Sequence, residues 1–98
     1  DLGILIDISH NYFNNYSEDA IIEFLSKRNV KVLHISDSLR NADFRKGTHL
    51  PIGEGSVNFS KLLKHFRKIP DIFGVLEIKA ENEKIHNSLN QLKNVIKQ

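Results

Sequence analysis

The stretch LGILIDISH, residues 2–10, closes an apolar run with an acid and a histidine, and VKVLHISDS, residues 30–38, repeats the arrangement. Asp7 stands three residues before His10 in the first stretch, and His34 stands three residues before Asp37 in the second. Short continuous apolar runs bounded by polar residues are typical of β-strands that are buried on both faces. The two stretches therefore predict two such strands, each with ionisable side chains at its C-terminal end.

Predicted helices alternate with these strands along the chain. After the first strand, Ser17 is a predicted N-cap, and Ile21, Phe24 and Leu25 follow it at helical spacing. A long polar loop, residues 37–57, follows the second strand and leads to a helix capped by Asn58. FGVLEIKA, residues 73–80, is the third predicted strand, and the last helix runs from about Glu81 to the end of the chain. The apolar stripes of the two later helices are Phe59, Leu62, Leu63, Phe66 and Ile69, and then Ile85, Leu89, Leu92, Val95 and Ile96.

The repeated strand-then-helix order predicts an α/β fold with parallel strands and right-handed crossovers. A (β/α)8 TIM barrel uses about 250 residues, or roughly 31 for each β/α unit. The 98 residues of this chain therefore correspond to about three units. This arithmetic favours part of a barrel, and a doubly wound sheet is the next alternative.

Composition excludes several functional classes. Fourteen basic and twelve acidic residues leave a formal charge of +2, which is too small to indicate a nucleic-acid partner. The chain has no cysteine, so it has no disulfide and no thiolate metal site, and we expect a cytoplasmic protein. No apolar run approaches the roughly 20 residues that span a bilayer, so no membrane partner is expected. Because the chain starts on Asp1 and contains no methionine, we expect residues 1–98 to be one partial-barrel domain cut from a longer protein.

The strand ends carry the candidate chemistry. Alternation places Asp7 on the same strand face as Leu5, His34 on the face of Val32, and Glu77 on the face of Val75. Ligands of parallel α/β folds bind at the C-terminal ends of the strands. We therefore expect Asp7, His34 and Glu77 to converge on one point at the C-terminal ends of the strands. We also expect His10 and Asp37 to fold back over that site. Two carboxylates and an imidazole suit a divalent cation, and Mn, Co, Zn and Mg all remain open.

The long loop supplies a second set of candidates. His49 precedes Gly53-Glu54-Gly55, just before the helix that Asn58 caps. Glycines here either form a tight turn or let the backbone approach an anionic ligand, and both interpretations stay open. Arg40 is either a contact to a substrate oxygen or phosphate, or a solvated surface residue.

These motifs together resemble the last three units of the xylose isomerase-like TIM barrel superfamily. The resemblance rests on DISH and HISD at successive strand ends, on HLPIGEGSVNFSKLL (residues 49–63) and on GVLEI (residues 74–78), and it spans nearly the whole chain. The superfamily includes sugar and sugar-phosphate isomerases and epimerases, inosose dehydratases and apurinic endonucleases of the endonuclease IV type. The fold it implies is the C-terminal part of a (β/α)8 barrel, with the N-terminal units supplied by the rest of the protein or by another chain.

The resemblance also implies roles for individual residues. Asp7, His34 and Glu77 correspond to metal ligands, and Glu77 also to a catalytic acid–base carboxylate. His10 and Arg40 correspond to substrate contacts of the epimerases, although the endonucleases use the equivalent of His10 as a metal ligand. His49 matches the histidine before the GEG loop, which we assign to substrate binding here and which binds metal in the endonucleases.

The resemblance leaves three functions open. The favoured one is a metal-dependent isomerase or epimerase that converts a sugar or sugar phosphate through an enediolate, as part of the full-length protein. An apurinic endonuclease is the alternative; its pattern wants an aspartate two residues before His49, and Gly47 stands there. A partial barrel that only binds a ligand or assembles, without turnover, is the third.

Overall fold

The computed structural model describes residues 3–40, 43–69 and 71–97, which contain three strands and five helices. The first strand, β1, is followed by two helices before β2, and β2 by two helices before β3; a last helix ends the chain. Their bounds are β1 (Ile4–Asp7), α1 (Ile8–Phe13), α2 (Glu18–Lys27), β2 (Val30–Ile35), α3 (Phe44–Gly47), α4 (Phe59–Phe66), β3 (Phe73–Leu76) and α5 (Asn82–Ile96).

The three strands form one parallel sheet in the order β1-β2-β3. Asp7 pairs with His34, and His34 pairs with Val75 on the other side. The main-chain N–H of Glu77 continues this ladder by donating to the carbonyl of Ile35 at 3.0 Å. The C-terminal ends of the strands therefore lie side by side, as the predicted α/β fold requires.

The long helices cover one face of this sheet. Ile6 of β1 and Leu33 and Ile35 of β2 are buried in a single apolar cluster with residues of α2, α4 and α5. The cluster members from these three helices are Ile21, Leu25, Phe59, Leu62, Leu63, Phe66 and Leu92, and α1 adds Ile8 and Tyr12. Sequential strands with helices on one side are the arrangement of a barrel wall, whereas a doubly wound sheet carries helices on both faces. The fold thus favours the barrel over the doubly wound alternative.

The opposite face of the sheet is open in the described part of the chain. Leu5, Phe73 and Val75 are 51%, 71% and 47% exposed, and they lie on the face that also carries Asp7 and His34. The prediction of strands buried on both faces is therefore wrong for these residues. Apolar strand composition reports the surroundings of a strand in its complete fold, and the described residues of this chain supply one covering layer.

Most predicted helix boundaries are confirmed. The Ser17 hydroxyl accepts a hydrogen bond from the N–H of Ala20, the Asn58 side chain accepts one from Lys61, and α5 begins after Glu81. Two short helices, α1 and α3, were not predicted because neither has a recognisable apolar stripe. Phe24, Leu89 and Ile96 were placed on buried stripes but are 41–44% exposed. Within the described ranges, no helix has the length and apolar character needed to cross a membrane.

Candidate metal centre

Asp7, His34 and Glu77 meet at the C-terminal ends of the three strands. One ligand atom from each residue lies within 4.8 Å of the ligand atoms of the other two. The Nδ1 atom of His34 is 3.9 Å from Asp7 Oδ2 and forms an ion-pair contact with Glu77 Oε2 on the other side. The structure therefore brings together the three residues that the strand alternation selected, although their role as ligands stays a prediction.

This donor set fits a divalent cation. Two carboxylate oxygens and one imidazole nitrogen match the three protein ligands of many catalytic metal sites, which leave a further position for water or substrate. Both carboxylates already point at one imidazole nitrogen, as they would at a shared positive centre. The side chain of Glu77 is 47% exposed, so the set is open to solvent on that side.

A second group of candidate ligands shares Asp7 with the first. It consists of Asp7, His10 and His49, whose ligand atoms also lie within 4.8 Å of one another. The Nε2 atoms of His10 and His49 are 3.1 Å apart, and His10 Nδ1 is 4.0 Å from Asp7 Oδ2. The Nδ1 atom of His49 is buried and has no hydrogen-bond partner among the described residues. An unpaired polar atom in the interior is unfavourable, so this arrangement also fits a site that accepts a ligand.

Asp7 divides its two oxygens between structure and site. Oδ1 accepts a hydrogen bond of 2.9 Å from the N–H of His10 and so caps α1, whose first residue follows Asp7 directly. Oδ2 faces the imidazoles of both His10 and His34. The DISH sequence therefore ends a strand, caps a helix and presents a second carboxylate oxygen to two imidazoles, all within four residues.

His49 is held in an unusual backbone conformation. Its φ angle is +56°, in the left-handed region that costs a non-glycine residue on the order of 1–3 kcal/mol. Its N–H donates to the Ser9 hydroxyl at 3.0 Å, and its carbonyl accepts from the N–H of Lys79 at 3.1 Å. Ser9 of α1 and Lys79, which follows β3, thus hold the loop so that the His49 ring reaches His10. The ring of Phe44 from α3 lies against His10 on another side, with centroids 5.2 Å apart.

Arg40 makes its contacts with the end of α1. Its guanidinium stacks over the Tyr12 ring, 3.7 Å from the centroid, and donates to the carbonyls of Tyr12 and Tyr16. Tyr12 itself is 5% exposed and hydrogen-bonds to Ser56. These contacts tie three segments of chain together, and the predicted role of Arg40 in substrate binding stays a prediction.

Asp37 does not fold back over the site at the strand ends, so the expectation that places it there is wrong. It is 1% exposed, and its carboxylate accepts four main-chain hydrogen bonds, from Ser38, Gly53, Gly55 and Val57, at 2.9–3.1 Å. Residues 53–57, called the glycine turn below, thus fold around a carboxylate of the same chain. Three main-chain N–H groups of this turn donate to the Asp37 carboxylate. Sequence reasoning missed this pairing because the partners are 16–20 residues apart, and no local pattern joins them.

The sheet is parallel with its strands in sequential order, one layer of helices covers it, and ligand-type side chains lie at its strand ends. These features define a barrel-type α/β protein with a candidate metal centre. The chain belongs to the xylose isomerase-like TIM barrel family, whose sequence model matches residues 1–96. Searches of curated proteins and of solved structures found no match to the chain.

Proposed function

We propose that Asp7, His34 and Glu77 form the metal-binding part of an active site. The enzyme would be a divalent-metal-dependent isomerase or epimerase acting on a sugar or sugar phosphate. The observation that carries the proposal is the convergence of Asp7, His34 and Glu77 at the ends of three successive parallel strands. Membership of the xylose isomerase-like family supports the same reaction class.

Each residue has a distinct role in this proposal. Asp7 and His34 hold the cation, and Glu77 acts as a ligand and as one of two acid–base carboxylates. A cation bound there, one of Mn, Co, Zn or Mg, supplies Lewis-acid stabilisation of the negative charge that develops on the substrate oxygens. Glu77 or its partner carboxylate removes the proton from the carbon beside the carbonyl, which gives an enediolate, and returns a proton to complete the exchange. The second carboxylate belongs to chain outside these 98 residues.

Three further residues are assigned to substrate binding: His10, Arg40 and His49. His10 is 42% exposed in its side chain and lies between Asp7 and the Phe44 ring, where it can meet a hydroxyl or phosphate oxygen. His49 is its neighbour at 3.1 Å. Both imidazoles can donate or accept hydrogen bonds, which suits a polyhydroxylated substrate.

The test uses the natural protein at its full length, loaded with Co²⁺ or Mn²⁺. Glu77→Gln removes a charged ligand oxygen and should weaken Co²⁺ binding by at least about tenfold, since even the outer-shell partners of metal ligands change affinity by that much. Incorporation of solvent deuterium into a panel of ketoses, aldoses and their phosphates should fall with it. Glu54→Gln is the matched control, because Glu54 is an exposed partner of Lys84 away from the strand ends. Full metal content together with full turnover in Glu77→Gln would refute the proposal.

An apurinic endonuclease is the second candidate, and the Asp7, His10 and His49 group favours it. Two ligand groups that share one carboxylate are the kind of arrangement that holds neighbouring cations for phosphodiester hydrolysis. The missing aspartate at position 47 counts against it. Asp43, the nearest acid in the loop, caps α3 by accepting from the N–H of Arg45 at 3.0 Å. Two or more tightly bound zinc ions per chain and cleavage of a duplex with an abasic site would select this function over the isomerase.

A further inference from the structure

Asp37 lies next to the loop that carries His49, and it contacts that loop through both its side chain and its main chain. The carboxylate accepts from the N–H groups of Gly53, Gly55 and Val57, on the C-terminal side of His49. The main chain forms a two-hydrogen-bond bridge with Leu50, the residue directly after His49, at 2.8 and 3.1 Å.

A third connection runs through α1. The Ser9 hydroxyl donates to the carbonyl of Asp37 at 3.1 Å and accepts from the N–H of His49 at 3.0 Å. Ser9 is completely buried, so this bridge is shielded from water. Asp37 therefore restrains the backbone of His49 from the following residue, from the glycine turn and through Ser9.

These restraints matter because His49 is in the left-handed backbone region, which few non-glycine residues adopt. A positive φ persists in a non-glycine residue only where the surrounding structure fixes it. The Nε2 atom of His49 lies 3.1 Å from the Nε2 atom of His10. The Nδ1 atom of His49 is buried and has no hydrogen-bond partner among the described residues. Besides the hydrogen bond from Lys79 to its carbonyl, the contacts that restrain the backbone of this histidine run through Asp37.

We propose that Asp37 is a positioning residue, whose buried carboxylate gathers the glycine turn and so sets the ring of His49 against His10. The relevance of this role to catalysis rests on the proposed function, but the role itself concerns only the protein's own geometry. It assigns the acid of the HISD sequence, Asp37, to the shape of the site, while the acid of the DISH sequence, Asp7, offers an oxygen to the ligand.

Two substitutions perturb the contact from opposite sides. Asp37→Asn keeps one acceptor oxygen but replaces the other with an NH₂ group, which would face the N–H donors of Gly53 and Gly55 or of Ser38 and Val57. Gly55→Ala leaves Asp37 unchanged, but its Cβ would come within 2.6 Å of the Ser38 nitrogen and closer still to the Asp37 carboxylate. Glu54→Gln is the control, because it lies between the two glycines and its side chain is directed to Lys84.

The readout is the histidine ring signals of the metal-free, full-length protein, labelled with ¹⁵N-histidine and assigned by single His→Gln variants. Five histidines lie in this chain, and His65 and His86, on α4 and α5, report on the overall fold. Asp37→Asn and Gly55→Ala should both move the signals of His10 and His49, with those of His34, His65 and His86 unchanged. Glu54→Gln should move none of them.

The role of Asp37 would be overturned if His10 and His49 keep their wild-type signals in both variants. It would also be overturned if the signal of His34 moved as far as that of His49, since Asp37 would then serve the fold in general. Neither outcome depends on metal binding. A protein that fails to bind Co²⁺ but shows the selective movement of His10 and His49 would refute the proposed function and leave the positioning role intact.

Discussion

At the scale of single residues, the carboxylate of Asp7 both caps a helix and contributes an oxygen to the candidate metal centre. Its Oδ1 satisfies the N–H of His10 at the start of α1, while Oδ2 lies 3.9–4.0 Å from the Nδ1 atoms of His34 and His10. A helix N-cap prefers a side-chain oxygen, but it does not require a charge. The cap therefore does not explain the charge of Asp7, and we propose that this charge serves the candidate ligands at the strand end.

This division predicts different results for two substitutions of Asp7. Asp7→Asn keeps an oxygen for the cap and places its NH₂ group at the ligand position, so stability should change little while Co²⁺ affinity falls at least about tenfold. Asp7→Ala removes both functions and should also lower the free energy of unfolding by about 0.5–2 kcal/mol. Urea unfolding and Co²⁺ titration of the two variants measure the separation. Equal loss of stability in both variants would contradict it.

At this scale, the sequence specifies the grouping of strand-end residues but not the contact between two histidines. Asp7, His34 and Glu77 could be grouped because strand alternation and the equivalence of successive β/α units follow from local periodicity. His10 and His49 could be proposed only individually. Their contact, at 3.1 Å across 39 residues, depends on the short helix α1 and on a left-handed backbone at His49, and neither leaves a clear local pattern.

At the scale of elements, the helices differ in how completely they are covered. Phe59, Leu62, Leu63 and Phe66 of α4 are all buried, and Leu62 has no exposed surface. In α5, Leu92 and Ser88 are buried, whereas Leu89 and Ile96 are exposed. In α2 the same contrast separates Ile21 and Leu25 from Phe24. The middle helix of the three is thus packed on all its apolar positions, and the two outer helices keep part of their stripes uncovered.

The full burial of α4 predicts a large effect of Leu62→Ala. This substitution should lower the free energy of unfolding by about 2–5 kcal/mol, because it removes buried methyl groups and leaves a cavity. Lys64→Ala, two residues later on the exposed side of the same helix, is the control and should change stability by no more than about 0.5 kcal/mol. Denaturant midpoints at an unchanged dependence on denaturant concentration provide the comparison. A loss below about 1 kcal/mol in Leu62→Ala would show that α4 is not the centre of the core.

At the scale of the whole molecule, the open face of the sheet is the surface that a complete barrel encloses. Leu5, Phe73 and Val75 are exposed there, and β1 and β3 are the edge strands of the three-stranded sheet. A cavity of about 440 Å³ lies beside β1, lined by residues that include Leu5, Asp7, Tyr16 and Phe24. We propose that further β/α units, from the same protein or another chain, pack against this face and these edges.

This proposal predicts the behaviour of residues 1–98 produced alone. Exposed apolar surface and unpaired strand edges favour association, so the isolated chain should self-associate and bind a hydrophobic dye. The double substitution Leu5→Ser and Phe73→Ser should reduce both effects, as measured by sedimentation velocity and dye fluorescence. Leu89→Ser, which removes an exposed leucine from α5 instead, should reduce them less. A monodisperse monomer without dye binding would mean that these residues need no covering partner, and the non-catalytic partial barrel would become the better interpretation.

The sequence by itself determined the class of fold, the order of its strands and longer helices, and the three strand-end residues Asp7, His34 and Glu77. These features follow from apolar periodicity and capping residues, which act over a few neighbouring positions. Only the tertiary structure decided that Asp37 serves the glycine turn, that Arg40 stacks on Tyr12, and that His10 meets His49. Each of these contacts joins residues 16–39 positions apart. No local pattern specifies such pairs, because they form only after the strands and helices have packed.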